Sequence, residues 1–93
     1  MRRRIVAGNW KLHGTRAFAA ELARAIAAGA PPGVELVILP PATYLAELVQ
    51  ALHDGPLAFG SQDVSEHAGG ARTGEVAASM VADIGARWTL VGH

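Results

Sequence analysis

Two polar residues at the end of a short apolar segment could bind an anion. Asn9 and Lys11 follow the β-branched run that begins at Arg4, and they are two positions apart. Residues two apart in an extended chain share a face. A lysine ammonium beside an amide donor, both aimed into a cleft, could hold an anion or stabilise a developing oxyanion. Each residue alone is equally typical of a solvated loop.

A histidine ends a second apolar run. His93 follows Gly92 after a segment that begins near Trp88. A histidine at the carboxyl end of a strand could act as an acid, a base or a neutral hydrogen-bond donor, or could have no role. Chemistry in parallel α/β proteins takes place at the carboxyl ends of the strands. Because His93 and Lys11 both follow strands, we expect them on one rim of the sheet, and together they are stronger candidates for functional residues than either is alone.

Strand-like runs alternate with helical stripes along the chain. Strands are predicted to start near residues 4, 34, 57 and 87. Apolar residues at helical spacing predict three helices, marked by Phe18, Leu22, Ala25 and Ile26, by Leu45, Leu48, Val49 and Leu52, and by Ala77, Met80, Val81 and Ile84. Thr15 is expected to cap the first helix, and Gly29 to end it in the left-handed conformation. The order βαβαβαβ predicts a parallel sheet with right-handed crossovers.

The composition excludes several classes of function. Eight basic residues balance eight acidic ones, so no basic excess exists for binding nucleic acid. The absence of Cys excludes disulfides, thiolate metal sites and thiol catalysis. The apolar runs fall far short of the ~18 residues that span a membrane. The residues after Arg4 also lack the apolar core of a signal peptide. We expect a cytoplasmic chain that binds neither nucleic acid nor membranes.

Two α/β architectures are compatible with this order of elements. An open doubly wound sheet could be built from four strands, although five or six are usual. A (β/α)₈ barrel takes about 250 residues, or roughly 31 per unit, so this chain would hold three βα units and a fourth strand. Periodicity leaves both architectures open.

Three segments resemble the triosephosphate isomerase family. Ala7-Gly8-Asn9-Trp10-Lys11 is similar to the signature of the family's first strand. The family's third loop is resembled by Gly60-Ser61-Gln62-Asp63-Val64 followed by Thr73-Gly74-Glu75-Val76. The end of its fourth strand is resembled by Leu90-Val91-Gly92-His93. These segments occur in order, at the family's spacing, across the whole chain. The resemblance implies that residues 1–93 are an incomplete TIM-barrel domain, strands one to four of the (β/α)₈ barrel.

The resemblance also implies an activity. The family interconverts dihydroxyacetone phosphate and glyceraldehyde 3-phosphate through an enediolate, a step of glycolysis and gluconeogenesis. Lys11 would stabilise the substrate and its developing negative charge, and Asn9 would shape and orient the pocket. His93 would be the electrophile that polarises the carbonyl and moves protons between the two oxygens. No metal or organic cofactor is implied, because proton transfer and electrostatics suffice.

The third loop is implied to contact a second subunit. In the family it inserts near the neighbouring active site, which would place Gln62, Thr73 and Glu75 at the interface of a homodimer. The chain departs from the family's usual residues in or near these loops at Asp63, Arg72 and His13, where Asn, an aromatic and Asn are common. None of these departures touches the proposed chemistry directly.

The remaining catalytic parts of the family follow later strands. Its general base is a Glu after the sixth strand, and its lid and phosphate-binding loops also lie beyond the position of His93. Loss of a general base costs on the order of 10²–10⁴ in rate, so we expect the 93-residue chain alone to be inactive. Two alternatives remain: a non-catalytic half-barrel that acts by self-assembly or complementation, and a small phosphate-binding α/β module. Unpaired edges of the first and fourth strands favour association.

Overall fold

Four parallel strands form the sheet in the computed structural model, which describes residues 2–93. Their bounds are β1 Arg4–Asn9, β2 Val34–Leu39, β3 Leu57–Ser61 and β4 Trp88–Thr89. Each strand pairs with the next in the order β1-β2-β3-β4, so β1 and β4 form the two edges. The sheet curls as half a barrel. The predicted strand starts and the first part of a (β/α)₈ barrel are confirmed.

Three helices connect the strands: α1 Arg16–Ala28, α2 Ala42–Leu52 and α3 Ala78–Asp83. The cap predicted for α1 is confirmed, since Thr15 Oγ1 accepts a 3.1 Å hydrogen bond from the Phe18 N–H. The left-handed conformation predicted for Gly29 is wrong, because its φ is −97°. Its N–H still bonds to the Ala25 carbonyl at 3.2 Å, which keeps the last turn right-handed. The chain instead takes its left-handed residue at Gly33, with φ 78°.

The core lies between the helices and one face of the sheet. Its buried residues are Ala19, Ala23, Ile38, Leu45, Leu48, Val49, Leu57, Phe59, Val81 and Ala86. The apolar stripe predicted for α2 is confirmed, because Leu45, Leu48 and Val49 are buried. Val37 and Leu39 alternate with Ile38 and so point to the opposite face, where they are also buried.

The stripe predicted for α1 is confirmed at Ile26, which packs against the core, and wrong at Phe18 and Ala25, which are exposed. Phe18 is 51% exposed, whereas Ala19 and Ala23 are buried. Because α1 contacts α2 through this face, small side chains there allow the helices to approach closely. The predicted bulky stripe is therefore turned partly toward solvent.

The last βα unit is shorter than the sequence predicts. Helix α3 has six residues, of which Val81 is buried while Met80 is 55% exposed. Strand β4 ends at Thr89, although the Leu90 N–H still donates to the Ser61 carbonyl at 3.0 Å. Gly92 has φ 70°, a left-handed geometry that a continuing strand could not contain.

Candidate functional site

The turn after β1 fixes the backbone of Lys11. Lys11 has φ 55°, the left-handed region that residues with a Cβ rarely occupy. Its N–H donates a 2.8 Å hydrogen bond to Oδ1 of Asn9. Asn side chains stabilise turns by this bond to the backbone two residues on. Asn9 therefore shapes the turn that carries Lys11.

Gln62 ties the turn to the rest of the sheet. Its Nε2 donates to the Lys11 carbonyl at 2.7 Å and to the Leu39 carbonyl at 3.0 Å. The Leu39 carbonyl also accepts a 3.1 Å bond from the Trp10 N–H. The carboxyl ends of β1, β2 and β3 are thus joined through one partly buried side chain.

This internal role of Gln62 is absent from the sequence prediction, which placed the residue only at a subunit interface. The available signal was its position directly after the third predicted strand. An amide side chain there reaches the carboxyl edge of a parallel sheet, where the last strand carbonyls lack ladder partners.

The far end of the same loop is held by α2. The Tyr44 hydroxyl donates to the Gly14 carbonyl at 3.1 Å, and Arg16 pairs with Glu47 at 2.7 Å. Gly14 has φ 136° and lies against the Tyr44 ring. Residues 10–14 are thus fixed at both ends.

The Lys11 side chain remains available to a ligand. Lys11 is the single lysine of the chain and is exposed. Among residues 2–93, the ion pairs involve Arg3, Arg16, His53 and His67, and none involves Lys11. A fixed backbone thus presents an unpaired ammonium at the carboxyl end of β1, which is suited to binding an anion.

His93 lies on the same rim at the opposite edge of the sheet. It is exposed and follows Gly92 beyond the carboxyl end of β4. No hydrogen bond joins it to Asn9 or Lys11 within the described part of the chain. The structure therefore joins Asn9 and Gln62 to the backbone of Lys11 and leaves His93 at the other edge of the sheet.

The third loop has a closed base and an exposed middle. The Ser65 N–H donates to the Val76 carbonyl at 2.8 Å, and Ser65 forms a parallel bridge with Ala77. The Ser65 hydroxyl also donates to the Glu75 carboxylate. Residues 68–75, which include Thr73, are exposed. Glu75 thus belongs to the base of the loop, and Thr73 to the part that reaches solvent.

The volume of the clefts does not identify the site. A cleft of about 860 Å³ lies between the third loop, α2 and α3, and its lining includes Leu45, Glu66, His67, Arg72 and Met80. Asn9, Lys11 and His93 are not part of its lining. The fixed turn is the candidate site, because its hydrogen bonds position a charged side chain.

Residues 2–93 show neither a metal-binding cluster nor a membrane-spanning helix. In residues 2–93, no group of three or more His, Asp or Glu side chains is arranged to hold a metal ion. The same part of the chain contains no helix that is both long and apolar enough to cross a membrane.

Comparison with known proteins identifies the family. The triosephosphate isomerase family profile matches residues 4–93. Proteins named triosephosphate isomerase from Xylella fastidiosa (strain M23) and Stenotrophomonas maltophilia (strain R551-3) are 61% and 62% identical over 94 aligned positions. A protein of the same name from Xanthomonas campestris pv. campestris (strain 8004) is 61% identical.

In each case the match covers 100% of this chain but 38% of the relative. The chain thus spans somewhat over a third of the length of these relatives. The matched segment contains the β1 turn, the third loop and the carboxyl end of β4, in the order found in the sheet. The chain belongs to the triosephosphate isomerase family.

Proposed function

We propose that this chain supplies the lysine and histidine of an isomerase site for triose phosphates. The observation that carries the proposal is the turn in which Asn9 and Gln62 hold Lys11 in a left-handed conformation. A backbone conformation of this kind costs roughly 1–3 kcal/mol and persists where surrounding contacts enforce it, often at functional sites. The names of the relatives support the same activity.

Lys11 would act through its charge. A triose phosphate is an anion, and its isomerisation passes through an enediolate that carries additional negative charge. An ammonium fixed near both charges would attract the substrate and stabilise the intermediate without reorganising during the reaction. Asn9 would contribute by positioning Lys11, since its Oδ1 is occupied by the Lys11 N–H.

His93 would act on the two oxygens of the substrate. A neutral imidazole can donate a hydrogen bond to a carbonyl oxygen, which polarises the bond, and can exchange a proton with the neighbouring hydroxyl. The exposed position of His93 after β4 leaves its ring accessible to a substrate on the rim. Removal of the carbon-bound proton would fall to the Glu that the family has after its sixth strand.

A chimera tests this assignment. Residues 1–93 would be fused to the remaining length of the Stenotrophomonas maltophilia relative, and triose phosphate turnover measured. We expect an active chimera that loses at least about 10²-fold in kcat/KM with Lys11→Ala, because a preorganised charge is removed. Arg24→Ala, which removes an exposed positive charge from α1, serves as the control and should retain activity.

Two results would contradict the assignment. The first is a folded, active chimera that is unaffected by Lys11→Ala. The second is robust turnover by the 93-residue chain alone, since we propose that it is inactive without the general base. Mixing the 93-residue chain with the complementary segment should restore turnover if the two halves assemble.

We also propose that the third loop joins two subunits of the longer protein. Its closed base and exposed residues 68–75 would allow it to project into a neighbour, with Thr73 at the contact. Gln62 would contribute through Oε1, which makes no hydrogen bond within residues 2–93, whereas Glu75 would hold the loop through Ser65. Thr73→Arg should shift the chimera from dimer to monomer in sedimentation velocity, whereas Gln50→Arg on exposed α2 should not. A dimer unchanged by Thr73→Arg would reject the contact.

We also propose that the longer protein is located in the cytoplasm. This location is supported by the family to which the chain belongs. Fractionation of cells that produce the longer protein should recover isomerase activity with the cytosol. Activity in a periplasmic or membrane fraction would overturn it.

A further inference from the structure

The single buried polar side chain among residues 2–93 lies between the third and fourth strands. Ser61, the last residue of β3, is 3% exposed. Its Oγ lies 2.7 Å from Oγ1 of Thr89, which is the last residue of β4 and the partner of Ser61 in the strand register. A buried hydroxyl without a hydrogen-bond partner is costly, so the pair favours one alignment of the two strand ends.

The two hydroxyls fix the backbone of Leu90. The Thr89 hydroxyl donates to the Leu90 carbonyl at 3.1 Å, and because a hydroxyl has one proton to donate, Ser61 is the donor to Thr89. The Leu90 N–H in turn donates to the Ser61 carbonyl at 3.0 Å. Ser61 therefore holds both backbone polar groups of Leu90, one directly and the other through Thr89.

His93 leaves the sheet from this fixed point. Strand β4 has two residues, and Leu90, which follows it, precedes His93 by three positions. Gln62, next to Ser61, bonds instead to the turn that carries Lys11. Two adjacent side chains at the end of β3 thus contact the two segments that carry the candidate site residues.

We propose that the hydroxyl pair of Ser61 and Thr89 positions His93 for its action on the substrate oxygens, an inference that rests on the proposed isomerase function. Ser61 and Thr89 are positioning residues, because their effect reaches the substrate through Leu90 and His93. A misplacement of about 1 Å in a site can cost on the order of 10²-fold in rate. Since polarisation of the carbonyl belongs to the transition state, loss of this alignment lowers kcat and kcat/KM together and leaves KM unchanged.

Thr89→Val in the chimera described above tests the proposal. Valine fills a similar space and lacks the hydroxyl, and we expect kcat for triose phosphates to fall about tenfold at unchanged KM. Thr89→Ser keeps the hydroxyl and should retain most of kcat. Ser79→Ala removes an exposed hydroxyl from α3 and serves as the control with full kcat. All variants are assayed at a temperature at which circular dichroism shows them to be folded, so that unfolding does not contribute.

A double-mutant cycle tests whether the two hydroxyls act as one contact. Ser61→Ala, Thr89→Val and the double variant should lose similar amounts of kcat, because each removes the same hydrogen bond. Additive losses would overturn the proposal, as would a Thr89→Val chimera whose kcat stays within about twofold of the unmodified chimera.

The position of His93 can also be measured without turnover. In a chimera with isotope-labelled histidine, the amide and ring resonances of His93, assigned with His93→Gln, should shift in Thr89→Val and not in Ser79→Ala. Unchanged His93 resonances in Thr89→Val would overturn the proposal even if kcat falls. If the unmodified chimera has no turnover, the proposed function fails, whereas shifted His93 resonances would still support positioning by the hydroxyl pair.

Discussion

The side-chain amide of Gln62 and the backbone carbonyl of Lys11 are joined by a 2.7 Å hydrogen bond across an intervening strand. Gln62 follows β3 and Lys11 follows β1, while β2 lies between them. The same nitrogen donates to the Leu39 carbonyl at the end of β2. The position of the candidate lysine therefore depends on the residue that directly follows the third strand.

Removing this amide should destabilise the fold. Gln62→Ala deletes two hydrogen bonds, and at about 0.5–1.5 kcal/mol each the free energy of unfolding should fall by roughly 1–3 kcal/mol. Gln62→Glu should cost more at neutral pH, because a carboxylate cannot donate to either carbonyl. Urea denaturation measures both changes. Gln50→Ala on exposed α2 is the control and should stay within about 0.5 kcal/mol of the wild type.

The left-handed conformation of Lys11 predicts an unusual response to glycine. Lys11→Gly should raise the free energy of unfolding by roughly 0.5–1 kcal/mol, because a glycine accepts this conformation without the penalty borne by a Cβ. Lys11→Val should lower it, since β-branched residues tolerate positive φ least. Thermal unfolding compares the three chains. If Lys11→Gly is as destabilising as Ala46→Gly in the middle of α2, the backbone of Lys11 is not under strain.

Gly60 should not tolerate even one added methyl group. A Cβ there would lie 2.7 Å from both Leu39 Cδ2 and the Trp88 carbonyl oxygen, and the latter belongs to the backbone of β4. Overpacking of this kind costs typically about 1–3 kcal/mol, and here it would also push β4 away from β3. Gly8→Ala in β1 is the matched control, because no atom lies within 4 Å of its added methyl. Equal unfolding midpoints for the two variants would contradict this packing.

The ion pair between Arg16 at the start of α1 and Glu47 of α2 predicts a pH dependence. A hydrogen bond from the Arg16 guanidinium, together with its charge, lowers the pKa of Glu47 from its ordinary value. A lowered carboxyl pKa contributes stability above the unfolded-state pKa, and this contribution disappears as the pH falls through the folded-state pKa. Because both groups are solvent-exposed, the contribution should be small and should decrease with salt.

Carboxyl resonances followed by NMR titration check this shift. Arg16→Gln should return the Glu47 pKa toward its ordinary value, whereas Arg24→Gln, on the same helix, should leave it unchanged. A Glu47 titration that is identical in the wild type and Arg16→Gln would contradict the pairing.

The alternation of strands and helices could be predicted from the sequence, because apolar residues are nearly continuous in a buried strand and recur every three to four positions in an amphipathic helix. The strand predicted near residue 34 begins at Val34, and the helix stripe at Leu45, Leu48 and Val49 is buried. Asn9 and Lys11 could be assigned to one rim because their strand ends there.

The errors arose where tertiary contacts decide between similar local patterns. Bulky Phe18 and Leu22 and small Ala19 and Ala23 all fall on helical spacings, and contact with α2 selects the alanines. The period of a helix does not reveal which stripe a neighbour covers. The bonds of Gln62 to Lys11 and Leu39 also depend on three strand ends meeting, which no local window of sequence contains.

The bridge between Ser65 and Ala77 separates the third loop from the sheet that carries it. Because the base is closed by backbone bonds, segment 66–75 can change length without moving β3 relative to α3. A doubling of loop length costs only about 0.6 kcal/mol in closure entropy. Gly69 and Gly70 have open space around them, so an insertion there meets no neighbouring atom. The loop could therefore receive a grafted peptide at Gly69 and Gly70 while the carboxyl ends of the strands keep their geometry.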